Sequence, residues 1–412
     1  MRLFMAACAA SLLVPAALAA ADIIVAPGSA IPTLTAAIAR ARPGDRIIVQ
    51  AGSYTEPTIV IDVPGVTIEG RDWPEFSGQG EHTVLVVAAD GVTVRGLVLM
   101  RTGFSDLDDR AGLLVRESRD CLIEGNRLRE NLFGIYLRRS TGCVVRGNRV
   151  EANAASQSVA GNGIHLWSSP GNRVERNTVT GHRDGIYFEF SPSSVAENNE
   201  VTVSQRYGLH FMFSDSCQYL ANAFLDNKSG VAVMYSRDIV IRGNRFERAR
   251  GPAAYGLLLK DILGGEVSEN TFDDNSTGMH VEGSSRLDIR GNTLVRNGWA
   301  IRVLANADEN RFTGNRFIGN AFDVVTNSRA ATSTFDRNWW DAYRGYDLDR
   351  DGIGDVPFRP VRLFALVVEQ HPPAILLLRS PLVGLLDAAE RVLPVLTPDT
   401  LVDRNPLMRQ PQ

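Results

Sequence analysis

From Gly112 to Trp340 the chain runs in short stretches that alternate apolar and polar residues. In LDIRGNTL the period of two turns Leu287, Ile289 and Leu294 to one side and Asp288 and Arg290 to the other. IVIRGNRF repeats the pattern with Ile239, Ile241 and Phe246. The alternation predicts strands, each too short to bury its apolar face alone.

The stretches return on a clock. A Gly-led phrase reads GLLV at Gly112, GIYL at Gly134, GIHL at Gly163, GIYF at Gly185 and GLHF at Gly208. It continues as GVAV at Gly230, GLLL at Gly256 and GMHV at Gly278, with AIRV at Ala300 as a worn copy. Successive starts lie 22, 29, 22, 23, 22, 26, 22 and 22 residues apart. An Asn keeps the same beat at Asn126, Asn148, Asn177, Asn199, Asn222, Asn244, Asn270, Asn292, Asn315 and Asn338. Two phrases locked together define one structural unit, repeated. A leucine-rich repeat would need its Leu scaffold and a helix or turn per unit, whereas stacked β coils need only short strands and bends. The fold expected is all-β, a right-handed parallel β-helix with an N-terminal cap helix and a helical C-terminal tail. The Asn residues would form an inward ladder at the bends.

Around the repeats the chain divides into four parts. Residues 1–20 carry a basic tip at Arg2, an apolar run and Ala-Leu-Ala ending at Ala19, the pattern of a cleaved export signal. Cys8 has too few residues before it to read as a lipoprotein anchor. Residues 22–46 form an entry cap with a short helix over Thr33 to Arg42, after Pro32 and before Pro43-Gly44. Residues 47–340 are the coils, and residues 341–412 an Asp-rich loop and a docking tail. No stretch offers about 20 uninterrupted apolar residues, so no membrane span is expected.

A formal charge of -4, with Arg scattered rather than clustered, gives no reason to expect nucleic acid. After signal removal Cys121, Cys143 and Cys217 remain, each five residues before a ladder Asn, which places them on one inward track. Cys121 and Cys143 would lie on adjacent coils, as a disulfide or as buried thiols.

The chemistry gathers on the outer face of the Gly-phrase strands. Two residues past the Gly stand Tyr136, His165, Tyr187, His210 and His280, and four past it Arg138, Trp167, Glu189, Met212 and Met234. His210 and Met212 would emerge from one strand, with Met234 one coil along, about 5 Å away. Thioether and imidazole together suit Cu(I), which makes His210, Met212, Met234, Glu189 and His165 the candidate copper ligands. The same side chains could instead cover the sheet or line a groove. A polysaccharide lyase or epimerase would need its base, acid and cation on this face, with Tyr187, His210, Glu189 and Arg138 as candidates. The paired Asp and Asp-Pro-His phrase of sugar epimerases and the Gly-His-Gly of pectin hydrolases are absent.

Beyond the repeats lies NWWDAYRGYDLDRDGIGDVPF. Asp347, Asp349, Asp351, the Ile353 carbonyl and Asp355 take positions one, three, five, seven and nine of a Ca²⁺ loop, with Gly352 at six. Position twelve is Phe358 rather than Glu, which leaves an Asp-turn as the other reading. Ser380-Pro381 then opens an amphipathic helix, with Ser380 as N-cap. Capping is expected near Arg359 to Leu366 and partner binding beyond Pro372.

The PGDRIIVQAGSYTE stretch from Pro43 to Glu56 is similar to the opening of pectate-lyase-like β-helices. Closed by the Asn-Trp-Trp to Pro-Phe stretch, the whole mature chain resembles the NosD family. That resemblance implies a non-enzymatic periplasmic accessory protein of nitrous oxide reductase maturation. It would sit on the membrane subunit of an ABC transporter and handle copper, or sulfur, for the reductase's Cu centres, with a copper chaperone and the reductase as further partners.

Overall fold

The computed structural model describes residues 21–410 apart from 154–155, 305, 328–331, 379 and 393–400. The expected export signal at residues 1–20 therefore lies outside the described residues, as do Leu393, Pro394, Val395 and Leu396 of the C-terminal helix pattern.

Three wholly parallel sheets of 14, 12 and 13 strands wind into a β-solenoid. Each coil contributes one strand to each sheet; in one coil these are Leu122–Glu124, Arg127–Arg129 and Phe133–Arg138. The alternation decides what fills the interior. Leu287, Ile289, Leu294, Ile239, Ile241 and Phe246 are all in the core. Asp288 and Arg290 face out and pair at 3.1 Å. Equivalent core residues stack from coil to coil, as Phe224, Phe246 and Phe272 do with ring centroids 5.6 and 4.7 Å apart.

The expected Asn ladder occupies the corner between the 14- and 13-stranded sheets. Asn244 shows one rung: its N and Nδ2 donate to Asn270 Oδ1 at 2.8 and 3.0 Å, and Nδ2 also reaches Tyr219 O at 2.8 Å. In turn Asn244 Oδ1 accepts from Asn222 N and Nδ2 at 2.9 and 3.0 Å. Backbone groups at a tight buried bend cannot all pair with a neighbouring strand, and one amide per coil satisfies them. Many ladder Asn residues follow a Gly because the preceding position is left-handed, at φ +61 for Gly147 and +63 for Gly291.

The other two corners carry polar ladders that the sequence reading missed. Ser118, Ser140, Ser169, Ser191, Ser214 and Ser236 relay backbone N–H to hydroxyl bonds of 3.0–3.3 Å between coils. A second Asn row runs through Asn275, Asn297 and Asn320. It is interrupted at His182, which is buried with both ring nitrogens unpartnered.

The Gly of the repeated phrase answers a different need. A Cβ on Gly134, Gly163, Gly185, Gly208, Gly230 or Gly256 would stand 2.3–2.8 Å from the carbonyl oxygen of the next Gly in the series. Only a residue without a side chain lets the backbones approach this closely.

At the entry end Asp22–Val25 already pairs with Arg46–Val49, so part of the expected cap is itself the first strand. The cap helix, α1, covers Leu34–Ile38, shorter than expected, and buries Leu34, Ala37 and Ile38. Glu56 helps fix its start, accepting from Leu34 N at 2.8 Å and Thr35 N at 3.0 Å.

The exit end revises the expected division of the tail. Helix α2, Leu363–Gln370, packs Phe364, Ala365 and Val368 on Phe322 and Val325, outside the 12-stranded sheet. Val383 and Leu386 of α3, Pro381–Val392, join the same cluster. Pro381 does open α3, but the Ser380 hydroxyl makes no capping bond. Residues beyond Leu401 then return to the solenoid, so capping does not stop at Leu366. Asp403, fully buried, closes the Asn ladder by accepting from Asn338 N at 2.9 Å, Asn338 Nδ2 at 3.1 Å and Trp340 Nε1 at 3.0 Å. The three cysteines lie in the core as expected, on one track, as free thiols.

The corners yield three stability predictions. Asn244→Ala orphans donors and carbonyls on both neighbouring coils and should cost at least about 2 kcal/mol in chemical denaturation. Asp403→Asn keeps the Oδ2 acceptor, gives up the bond from Asn405 N to Oδ1, and removes a carboxylate whose pKa burial pushes up, so it should cost less than Asn244→Ala. For His182, burial lowers the pKa from 6.5 to about 4. The unfolded chain therefore takes up this proton first, and the group's contribution to stability is lost as pH falls from about 6.5 to 4. His182→Asn should make the thermal midpoint fall less steeply across that window, leaving the shares that His280, also held at about 4, and His165, whose pKa burial also lowers, continue to give.

Candidate metal-handling face

The candidate copper residues lie on four successive strands of the 12-stranded sheet, Ile164–Trp167, Asp184–Glu189, Tyr207–Met212 and Ser229–Met234. Past the inward Gly208, Leu209 and Phe211 enter the core while His210 and Met212 face out. Register then stacks the outer residues. Tyr187 lies beside His210 and Glu189 beside Met212, and Met212 lies beside Met234. The thioether pair read from the repeat is thus a pair of direct neighbours, both half-buried.

The imidazoles are less open than expected. His165 and His210 are only 7% and 4% exposed, because rings at equivalent positions stack and cover one another. Tyr136, His165, Tyr187 and His210 follow at centroid distances of 4.8, 4.8 and 4.5 Å, nearly parallel. Tyr187 therefore stands between the two histidines, which puts them two coils, about 9–10 Å, apart. Metal–nitrogen bonds of about 2 Å cannot bridge that gap, so His165 does not share one ion with His210. This corrects the five-residue group. His165 instead lies 3.8 Å from Glu189 Oε2, and burial lowers its pKa, which favours neutral imidazole. It floors a cleft of about 420 Å³, bordered by Asp109, Arg138, Trp167 and Arg183.

What remains together is His210, Met212, Met234 and, at its edge, Glu189. The Tyr187 hydroxyl donates to Met212 Sδ at 3.5 Å. His210 Nδ1 lies 3.4 Å from Asp184 Oδ2 and 3.2 Å from Arg206 Nη2, whereas Nε2 is buried without a partner. Arg206 also donates through Nε to Asp184 Oδ1 at 2.8 Å and through Nη2 to Oδ2. Burial favours the protonated acid, yet Arg206 and His210 hold Asp184 down at about 2. An unpartnered imidazole nitrogen on the strand that carries Met212 fits a soft cation.

Asp184 and Arg206 escaped the sequence reading. The available signal was the acid directly before Gly185, in a row otherwise filled by residues such as Tyr207 and Ser229. Also missed was a lip of exposed aromatics one residue past the second row. Phe190, Phe213 and Tyr235 stack at 5.1 Å intervals with left-handed φ of 50–53.

In the Asp-rich loop, one oxygen from each of Asp347, Asp349 and Asp351 lies within 4.8 Å of the others. Asp355 does not join them; its Oδ2 accepts from Leu348 N at 2.7 Å. Phe358, in place of the closing Glu, packs on Trp340 at a centroid distance of 5.0 Å.

Comparison with known proteins decides the family. The model of the family described as "Periplasmic copper-binding protein (NosD)" matches residues 40–159 and 153–345. The chain belongs to the NosD family. It is 30% identical over 357 residues to the "Probable ABC transporter binding protein NosD" of Stutzerimonas stutzeri, covering 82% of this chain and 81% of that one. With the protein of the same description from Pseudomonas aeruginosa it is 31% identical over 404 residues, covering 91% and 93%. Among solved structures, the catalytic unit of a GH87 α-1,3-glucanase from Streptomyces thermodiastaticus superposes with a TM-score of 0.62 at 16% identity, over 78% of this chain and 69% of that chain. The A-module of the Azotobacter vinelandii mannuronan C-5 epimerase AlgE6 gives 0.60 at 13%, over 73% and 92%. At such identities the likeness is one of fold. No described helix is long and apolar enough to cross a membrane.

Proposed function

We propose that this chain carries copper in the periplasm for assembly of the nitrous oxide reductase Cu centres, docked on the membrane subunit of an ABC transporter. The observation that carries the reading is the register of Met212 with Met234 beside His210, whose Nε2 has no partner among the described residues. Two thioethers and an imidazole bind Cu(I) in preference to hard cations, and the half-buried setting of the two methionines leaves room for exchange. A copper chaperone would load this face, and the reductase would unload it.

The docking part rests on the tail. Ile375, Leu376, Leu377, Leu382 and Leu385 are exposed at the turn into α3 and along it. An aliphatic cluster of this kind on a helix presents the face that a groove between membrane helices accepts. The family description and the relatives' description as ABC transporter binding proteins agree with both parts. The Asp347–Asp351 cluster belongs to the proposal as a Ca²⁺ loop that stiffens the junction between solenoid and tail.

Anaerobic titration of the mature protein with Cu(I) against a competing chelator tests the copper reading. One Cu(I) should bind per chain, and Met212→Leu with Met234→Leu should weaken binding at least tenfold without altering the fold. Equal binding by the double variant would reject the site. Calorimetry with Ca²⁺ on the same protein should show uptake that Asp349→Asn removes, and no heat in either protein would reject the loop.

A further inference from the structure

The geometry points to Asp184 as a positioning residue of the copper site, one that holds the His210 ring through Nδ1 and so leaves Nε2 as the nitrogen that takes the metal. This inference rests on the copper reading proposed above. It begins from an anomaly of burial. Asp184 is fully buried and Arg206 pairs with it, whereas the other fully buried acid, Asp403, closes the Asn ladder and meets backbone and side-chain N–H groups instead of a cation. Elsewhere along the same row the fold uses neutral residues, Tyr207, Ser229, Tyr255, Thr277 and Trp299. The coil therefore closes without an acid at this position, and desolvating one is costly unless something uses it.

The ion pair meets the His210 imidazole at Nδ1, while the Arg206 guanidinium also lies over the Tyr207 ring, 5.2 Å from its centroid. Arg206 already spends Nε and Nη2 on the Asp184 carboxylate. The Asp184 carboxylate, 3.4 Å from Nδ1, can act there only as an acceptor, and its charge favours an Nδ1–H turned toward it. The proton then sits on Nδ1, and the lone pair on Nε2, the nitrogen that is buried and unpartnered. Carboxylates do this beside metal-binding histidines generally: they fix the tautomer and the ring, and losing them costs about 10–100-fold in metal affinity. A competing geometry exists in the same contacts. If Arg206 donated to Nδ1 at 3.2 Å, the proton would move to Nε2 and the ring would be closed to metal.

The two are separated by ¹⁵N NMR of the imidazole in the metal-free wild-type chain, with His210→Gln used to assign the signal. The inference expects the Nδ1–H tautomer, and finding Nε2–H overturns it. That measurement needs no variant at Asp184 and so does not depend on whether one folds. Competitive Cu(I) titration of Asp184→Asn should then show a roughly 10–100-fold loss of affinity, with unchanged circular dichroism. Unaltered affinity in a folded Asp184→Asn, while the wild-type chain binds Cu(I), overturns the positioning role and leaves the copper site standing. A wild-type chain that binds no Cu(I) removes both.

Discussion

The structure depends on vertical register. A parallel solenoid gains its backbone hydrogen bonds between coils, so every coil must place its three bends directly over those of its neighbours. The bends are where strand pairing fails, and side chains complete it there: Asn at one corner, Ser at another, and Asn with His182 at the third. A buried amide or hydroxyl whose partner is missing costs about 1–3 kcal/mol, so a coil that slips by one residue would orphan groups at all three corners. The coil-to-coil contact of the Gly series adds a steric lock, since a side chain there would collide with the backbone of the next coil.

The same constraint makes the outer face chemically organised. Residues at equivalent places in successive coils become neighbours, so a row of side chains can be written into the chain at intervals of one coil. Rings at one row stack into a continuous column from Tyr136 to His210, and the next row sets Glu189, Met212 and Met234 side by side. Register also limits what can act together. Two coils of separation are too far for a shared ion, which is why His165 belongs with the cleft and Glu189 rather than with the methionine pair.

Much of this was legible because it repeats. The Asn at steps of 22 to 29 residues, the Gly phrase and the two outer rows all depend only on counting, and Met212 beside Met234 follows from the count alone. The Ser ladder was equally periodic but was masked by the abundance of Ser in bends of every kind. Asp184 and Arg206 were not legible, because the bend before Gly185 turns Asp184 toward His210 and alternation alone does not show it. Nor was the return of the tail: Asp403 meets Asn338 across 65 residues, and no local pattern announces an Asp standing in for the eleventh Asn. The length of α1 was overread for a simpler reason, since Arg40 to Arg42 keep helical propensity but leave the helix to form the turn into Arg46–Val49.

The central claim is that one soft-donor site exists on this face and that His210, Met212 and Met234 build it. Anomalous diffraction at the copper edge from crystals of the Cu(I)-loaded protein tests it most directly. The account predicts a single strong peak among His210 Nε2 and the sulfurs of Met212 and Met234. A peak at the buried cysteines, in the Asp347–Asp351 loop or beside His165 alone would contradict it.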